Sequence, residues 1–149
     1  MSVSSDIVTK VSLESCPDYL PRVRRIAACL ADSVGMDRQE ADDTTLVLTE
    51  ACVNAIRHGS PNGARDRVSI DFKSSGRTMV ADVTDRGRPA RKIEETSDGF
   101  GLRLMRVLTD RVEFIKHKSG LTVRLTKRAA RSRNPGRSVR TRRTPTHRS

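Results

Sequence analysis

The chain has 149 residues, of which 35% are hydrophobic and only 3% aromatic, so it can bury one real but largely aliphatic core. It contains no apolar run near the roughly 20 residues of a membrane helix and no secretion signal at its start, so we expect a cytoplasmic protein without membrane association. The net charge of +11 is uneven, because residues 1–126 carry 20 basic and 18 acidic side chains.

The hydrophobic pattern predicts a domain of strands and helices in residues 1–126. The strands are predicted at 7–13, 67–73, 78–84, 112–116 and 121–126, and the helices at 17–34, 37–58 and 102–109, with a break near Asp42 left open. Two consecutive hairpins imply a sheet that is mixed but mostly antiparallel. About three helices must then cover one face of it, which gives an α/β (α+β) two-layer sandwich.

Residues 127–149 form a second region with nine basic residues and no acidic one. The region is rich in Arg, Ser, Thr and Pro and almost free of apolar residues, so we predict a basic disordered tail. Such a tail can be a solubilising extension, or it can bind polyanions weakly and without specificity. The three cysteines, Cys16, Cys29 and Cys52, are isolated in apolar stretches and predict reduced thiols in or near the core.

The segment from Glu50 to His58 combines an apolar helix with a single polar stripe. On a helical wheel Glu50, Asn54, Arg57 and His58 fall in one arc, and most of the remaining circumference is apolar. A buried carboxylate and amide need partners, so they either hydrogen-bond a neighbouring loop or share a ligand. With a ligand, the amide oxygen would bind a hard cation and the carboxylate would polarise a nucleophile.

Two short motifs that suit nucleotide binding follow. The strand at 78–84 leads into Asp85-Arg-Gly87, which places a carboxylate at the rim of the core. Asp85 can accept a hydrogen bond there from the amino group of a flat ligand, although an Asp in a glycine turn is also common. Gly99-Phe-Gly101 then opens a helix whose backbone N–H groups can approach a phosphate.

In this order, Glu-x-x-x-Asn-Ala-x-x-His-Gly, Asp-x-Gly and Gly-x-Gly-Leu resemble the N, G1 and G2 boxes of the GHKL ATPases. The chain is most similar to the anti-sigma factor serine/threonine kinases of bacteria, over residues 6–126. The resemblance implies the Bergerat fold, ATP and Mg²⁺ as cofactors, Glu50 as catalytic base and Asn54 as the Mg²⁺ ligand. It places these residues at the nucleotide: Asn54, His58, Asp85, Gly87, Gly99, Gly101 and Leu102. For His58, packing or hydrogen bonding at the helix end is an equally good interpretation.

The function implied by the resemblance is phosphorylation of an anti-anti-sigma protein on Ser or Thr, combined with sequestration of a sigma factor, by a homodimer. The alternative is a catalytically inactive module that binds partners under nucleotide control. This alternative stays open because no basic residue directly precedes Gly99, which leaves the γ-phosphate contact unassigned. Pro89 stands where gyrase-like members of the family have a second glycine, although short anti-sigma-like members share this pattern. Thr122 is predicted to point away from the site because Leu121 and Val123 face inward. A histidine kinase fragment fits less well, since no histidine lies on a phosphoacceptor helix.

Overall fold

The computed structural model of the protein describes residues 6–87 and 100–130. Short 3-10 turns lie at Pro17–Tyr19 and Gly63–Arg65. The strands and helices of the described residues are β1 (Ile7–Glu14), α1 (Leu20–Ser33), α2 (Arg38–His58), β2 (Arg67–Ser75), β3 (Thr78–Asp85), α3 (Phe100–Leu108), β4 (Arg111–Lys116) and β5 (Leu121–Arg128). Their order is the predicted one, and only the start of α1 differs from its predicted position by more than two residues.

The strands form one sheet in the order β1-β2-β3-β5-β4. Every strand pair in the described residues is antiparallel. The prediction that the sheet is mixed is therefore wrong, whereas the prediction that it is mostly antiparallel holds. The reason is the crossover after β3. The chain passes through α3 to the far edge of the sheet, and the β4–β5 hairpin then returns β5 against β3 in the opposite direction.

One face of the sheet is covered by the three helices, which confirms the predicted two-layer sandwich. The inward residues of the central strands are buried: Val68, Ile70, Phe72, Met79, Ala81, Val83, Leu121, Val123 and Leu125. The opposite face is polar, and Arg124 there donates two hydrogen bonds to Asp82, at 2.8 and 2.9 Å. None of the helices in the described ranges is long and apolar enough to cross a bilayer.

Hydrogen bonds between residues close in sequence define the first residues of the two long helices, α1 and α2. Pro21 has no N–H to donate to the Pro17 carbonyl, so the Leu20 N–H bonds that carbonyl instead and a 3-10 turn precedes α1. Asp37 caps α2 through a capping box, in which the Glu40 N–H donates to Asp37 Oδ1 and the Asp37 N–H to Glu40 Oε2. With this start α2 continues unbroken for 21 residues, so the possible break near residue 42 does not occur.

The C-terminal end of the described chain is tied to the domain beyond the predicted strand end. β5 continues against β3 to Arg128, and Ala129 is 2% exposed. The Ala129 N–H donates to the carbonyl of Arg77 at 2.7 Å, and the Ala130 N–H donates to Glu40 Oε1 at 2.8 Å. The predicted boundary at residue 126 therefore lies inside β5, and residues 127–130 belong to the folded part. The prediction of disorder for residues 131–149 concerns residues outside the described ones.

The cysteines differ from each other in exposure. Cys52 is buried in the core, and this burial raises the pKa of its thiol to about 12. Cys16 is half-buried, whereas Cys29 is exposed, so the core or near-core position expected for Cys29 is wrong. The buried residues near Cys29 in sequence are Ala27, Leu30 and Ala31, and they lie on a different side of α1 from Cys29.

Candidate nucleotide site

The polar stripe predicted on α2 lies at the edge of the buried face of the helix. Glu50 and Asn54 are half-buried, one turn apart, next to the buried residues Ala51 and Ala55. His58 is exposed at the end of the helix. Two polar groups of the stripe are thus partly withdrawn from water, which favours their pairing with a ligand or a neighbouring element.

The start of α3 packs against this polar pair. A Cβ atom at Gly101 would lie 3.1 Å from Glu50 Oε2 and 3.9 Å from Asn54 Nδ2. Gly101 is itself buried, so any side chain at this position would press on the carboxylate of Glu50. The motifs that contain Asn54 and Gly101 are separated by 47 positions in sequence, and they meet in the structure. The absence of a side chain at Gly101 leaves room for this close contact with Glu50 and Asn54.

Asp85 ends β3 and is enclosed, with an exposed fraction of 2%. Its Oδ1 accepts a hydrogen bond from the Gly87 N–H at 2.9 Å. A Cβ at Gly59 would overlap the Asp85 carboxylate, and one at Gly120 would overlap the Asp85 carbonyl. Gly120 also has φ of +103°, so only glycine suits both its backbone and its contact. The end of α2 therefore packs against the carboxylate of Asp85, and the β4–β5 hairpin packs against its backbone.

A pocket lies between α2, α3 and the sheet, with Asp85 and Asn54 as its polar members. The other walls are apolar, which suits the faces of a planar base, while the two polar side chains can fix its orientation. The residues lining this pocket are Ala51, Asn54, Ala55, Val83, Asp85, Leu102, Met105, Phe114, Leu121 and Val123.

The structure brings together most of the residues selected from the sequence. Asn54, Asp85 and Leu102 line the pocket, and Glu50 and Gly101 touch each other beside it. Gly87 is buried and bonded to Asp85. His58 is not among the residues that line the pocket, and Gly99 lies outside the described residues. Their assignment to the nucleotide stays a prediction.

Thr122 faces away from the pocket, as its position in β5 predicts. Its hydroxyl lies 2.7 Å from Thr84 Oγ1 and 2.7 Å from His117 Nε2, on the opposite face of the sheet. Leu121, which faces the pocket, takes the place beside Asp85.

Several residues at the site were not among the site residues selected from the sequence, including Gly59, Met105, Phe114 and Gly120. The alternation of Val112 with Phe114 indicates that Phe114 shares the inward face, so this residue could have been found. Gly59 is the last residue of the first motif, but its contact with Asp85, like that of Gly120, joins segments that are distant in sequence.

Comparisons with known proteins agree with this geometry. Residues 13–127 match the model of a family described as the histidine kinase-like ATPase domain. The serine-protein kinase RsbW of Bacillus subtilis strain 168 is 29% identical over 127 residues, which cover 74% of this chain and 79% of that protein. The protein of the same name from Bacillus velezensis is 27% identical over 143 residues, covering 85% of this chain and 88% of the relative.

A solved structure shows the same fold. The crystal structure of the RsbU and RsbW domains of Rv1364c from Mycobacterium tuberculosis matches with a TM-score of 0.65 and 20% identity. The match covers 82% of this chain but only 32% of that larger chain. Since the family model spans residues 13–127 and the motifs meet around one pocket, the protein belongs to the histidine kinase-like ATPase domain family.

Proposed function

We propose that the protein binds Mg-ATP, phosphorylates an anti-anti-sigma protein on Ser or Thr, and sequesters a sigma factor. The observation that carries this proposal is the contact of Gly101 with Glu50 and Asn54, beside a pocket that contains Asp85. The relatives named serine-protein kinase support phosphoryl transfer. The resemblance to anti-sigma factor kinases supports the two protein partners, together with a homodimeric, cytoplasmic state.

The residues present suit a nucleotide with Mg²⁺. The amide oxygen of Asn54 and the carboxylate of Glu50 are hard oxygen donors on one flank of α2, and such donors are what Mg²⁺ prefers. Gly101 leaves room beside them that a side chain would fill. When bound, the cation neutralises negative charge on the phosphates. We assign the cation to Asn54, with Glu50 free to act on the acceptor hydroxyl.

Each side chain has a separate task in this proposal. Asp85 accepts a hydrogen bond from the adenine amino group, while apolar residues such as Val83 and Leu121 contact the base. Glu50 takes the proton of the attacking Ser or Thr hydroxyl. The hydroxyl oxygen forms the new bond to the γ-phosphorus as the bond to ADP breaks, so orientation and electrostatics supply most of the catalysis.

A second candidate is a module that binds nucleotide and partner without transferring phosphate. It is favoured by one observation, namely that no Lys or Arg is among the described residues that line the pocket. A basic side chain on the γ-phosphate is a common source of transition-state stabilisation in phosphoryl transfer.

The test is a transfer assay with the full-length protein, Mg²⁺, labelled ATP and candidate anti-anti-sigma proteins from the same genome, scored for phosphoserine and phosphothreonine. Glu50→Gln should bind nucleotide but transfer at least ~100-fold more slowly, the usual scale for a lost general base. Asn54→Ala should stay folded but lose Mg²⁺-dependent ATP binding. Gln39→Ala, which removes an exposed amide at the other end of α2, should stay folded and keep that binding.

The outcomes separate the two candidates. Tight Mg-ATP binding with no transfer to any partner would favour the inactive module. Unchanged Mg-ATP binding by Asn54→Ala in calorimetry would show that the nucleotide does not use α2 in the proposed way. An unchanged rate for Glu50→Gln would remove Glu50 from the reaction.

A further inference from the structure

Four exposed basic residues belong to the three chain segments that meet at Asp85, a residue that lines the pocket. We call them the basic rim, and they are Arg57, Arg86, Lys116 and Lys118. Arg57 is in the last turn of α2 and Arg86 follows β3. Lys116 ends β4, and Lys118 lies in the turn between β4 and β5. The rim therefore combines three segments that are distant in sequence.

The contacts of two glycines bring these segments together. Gly59, two residues after Arg57, packs against the Asp85 side chain. Gly120 packs against the backbone of Asp85 and Arg86, and a Cβ there would lie 2.8 Å from the Arg86 Cα. Ser119 Oγ also donates to the Arg86 carbonyl at 3.4 Å.

Strand register places Lys116 on the side of the sheet where the pocket lies. Lys116 pairs with Leu121, and Leu121 pairs with Asp85. Paired residues share one face of a sheet, so Lys116 lies on the helix-covered face, two strands or roughly 10 Å from Asp85. Lys116 is exposed, and Phe114, which is two residues earlier on the same face of β4, lines the pocket.

The charge of this region is one-sided. The segments 56–60, 85–87 and 116–120 together contain one acidic residue, Asp85, and it is buried. Ion pairs within the described residues join Arg111 to Glu113 and Arg124 to Asp82, and neither includes a residue of the basic rim. Arg57 can stabilise the C-terminal end of α2, because a positive charge interacts favourably with the dipole at that end of a helix. That role does not apply to Arg86 or to the two hairpin lysines, which lie outside any helix.

We propose that the basic rim docks an acidic segment of the protein substrate at the Asp85 end of the pocket, away from the Ser or Thr on which Glu50 acts. This inference rests on the proposed function, because a protein substrate must cover the pocket mouth to bring its hydroxyl to the γ-phosphate. Complementary charge there steers the encounter and fixes the register of the substrate. A polypeptide fits better than nucleic acid, because the three segments contain no Phe, Tyr or Trp on which bases could stack.

The binding test uses the isotope-labelled full-length protein in an NMR titration with a short poly-glutamate peptide, so that each segment reports separately. Amides of residues 57–58, 86 and 116–119 should shift and saturate. Reversing two of the four charges in Lys116→Glu/Lys118→Glu should raise the Kd measured at these amides by about tenfold or more. The matched control is Lys10→Glu/Lys73→Glu, which reverses two exposed lysines of β1 and β2 and should leave that Kd unchanged.

Two results of this titration would overturn the proposal. One is a response confined to residues 131–149, which would place polyanion binding in the basic C-terminal region. The other is an equal response of the rim to a short DNA duplex, which would make the rim a general polyanion site.

The kinetic test uses the acceptor protein identified by the transfer assay. The rim variant should raise KM for the acceptor by about tenfold, with KM for ATP and kcat changed by less than about threefold. Unchanged KM for the acceptor would overturn the docking role. If the protein transfers phosphate to no acceptor, the proposed function fails, and the titration still decides whether the rim binds acidic polypeptide.

Discussion

Replacing Gly59 by alanine should weaken nucleotide binding through a purely steric effect. The φ of Gly59 is −105°, which alanine adopts without strain. The new Cβ would overlap the side chain of Asp85, which is enclosed and must shift. Overpacking of this kind costs about 1–3 kcal/mol of unfolding free energy and lowers Tm by roughly 3–15 °C. In the proposed function Asp85 accepts a charged hydrogen bond from adenine, and a displaced carboxylate would lose it. Such a bond is worth about 1.5–3 kcal/mol, so Kd for ATP should rise about 10- to 150-fold.

The assay is calorimetric titration with Mg-ATP, beside a thermal melt of each variant. Gly76→Ala is the matched control, because Gly76 has φ of +58° and no atom within 4 Å of the added Cβ. Alanine there costs about 1–2 kcal/mol of stability through backbone strain, far from the pocket. Gly76→Ala should therefore lower Tm and keep ATP affinity. The reasoning is refuted if Gly59→Ala binds ATP as tightly as Gly76→Ala does.

Three further predictions follow from particular contacts. Asp85→Asn should weaken ATP binding far more than inorganic triphosphate binding, because an NH₂ donor then faces the adenine amino group; equal losses would place Asp85 away from the base. Truncation after Ala130 should keep Tm and ATP affinity while lowering retention on heparin. Truncation after Thr126 should lower Tm, because it removes the contacts of residues 127–130. Equal melting curves for the two truncated proteins would contradict this assignment of the folded boundary. At pH 8 a thiol reagent should modify Cys29 in the native protein but not Cys52, whose pKa of about 12 keeps it protonated until the pH approaches that value or the protein unfolds.

The elements of the fold follow from local patterns that residues carry independently of their surroundings. The alternation in 67–73 and 78–84 marks strands, and Asp37 followed by Glu40 marks the start of α2. Both agree with the structure, since their causes lie within a few residues of chain. The end of β5 at Arg128 did not follow from the pattern, because basic residues there resemble a solvated tail and only pairing with β3 extends the strand.

The sequence by itself determined the chemistry of the site: the carboxylate and amide one turn apart on α2, Asp85 at the end of an apolar strand face, and a glycine at Gly101. These are properties of residue type and periodicity, which a chain possesses before it folds. Tertiary structure alone decided that Gly59 and Gly120 pack against Asp85, and that three segments with exposed basic residues meet there. Those contacts arise only when the end of α2 and the β4–β5 hairpin pack against the end of β3, so no local pattern records them.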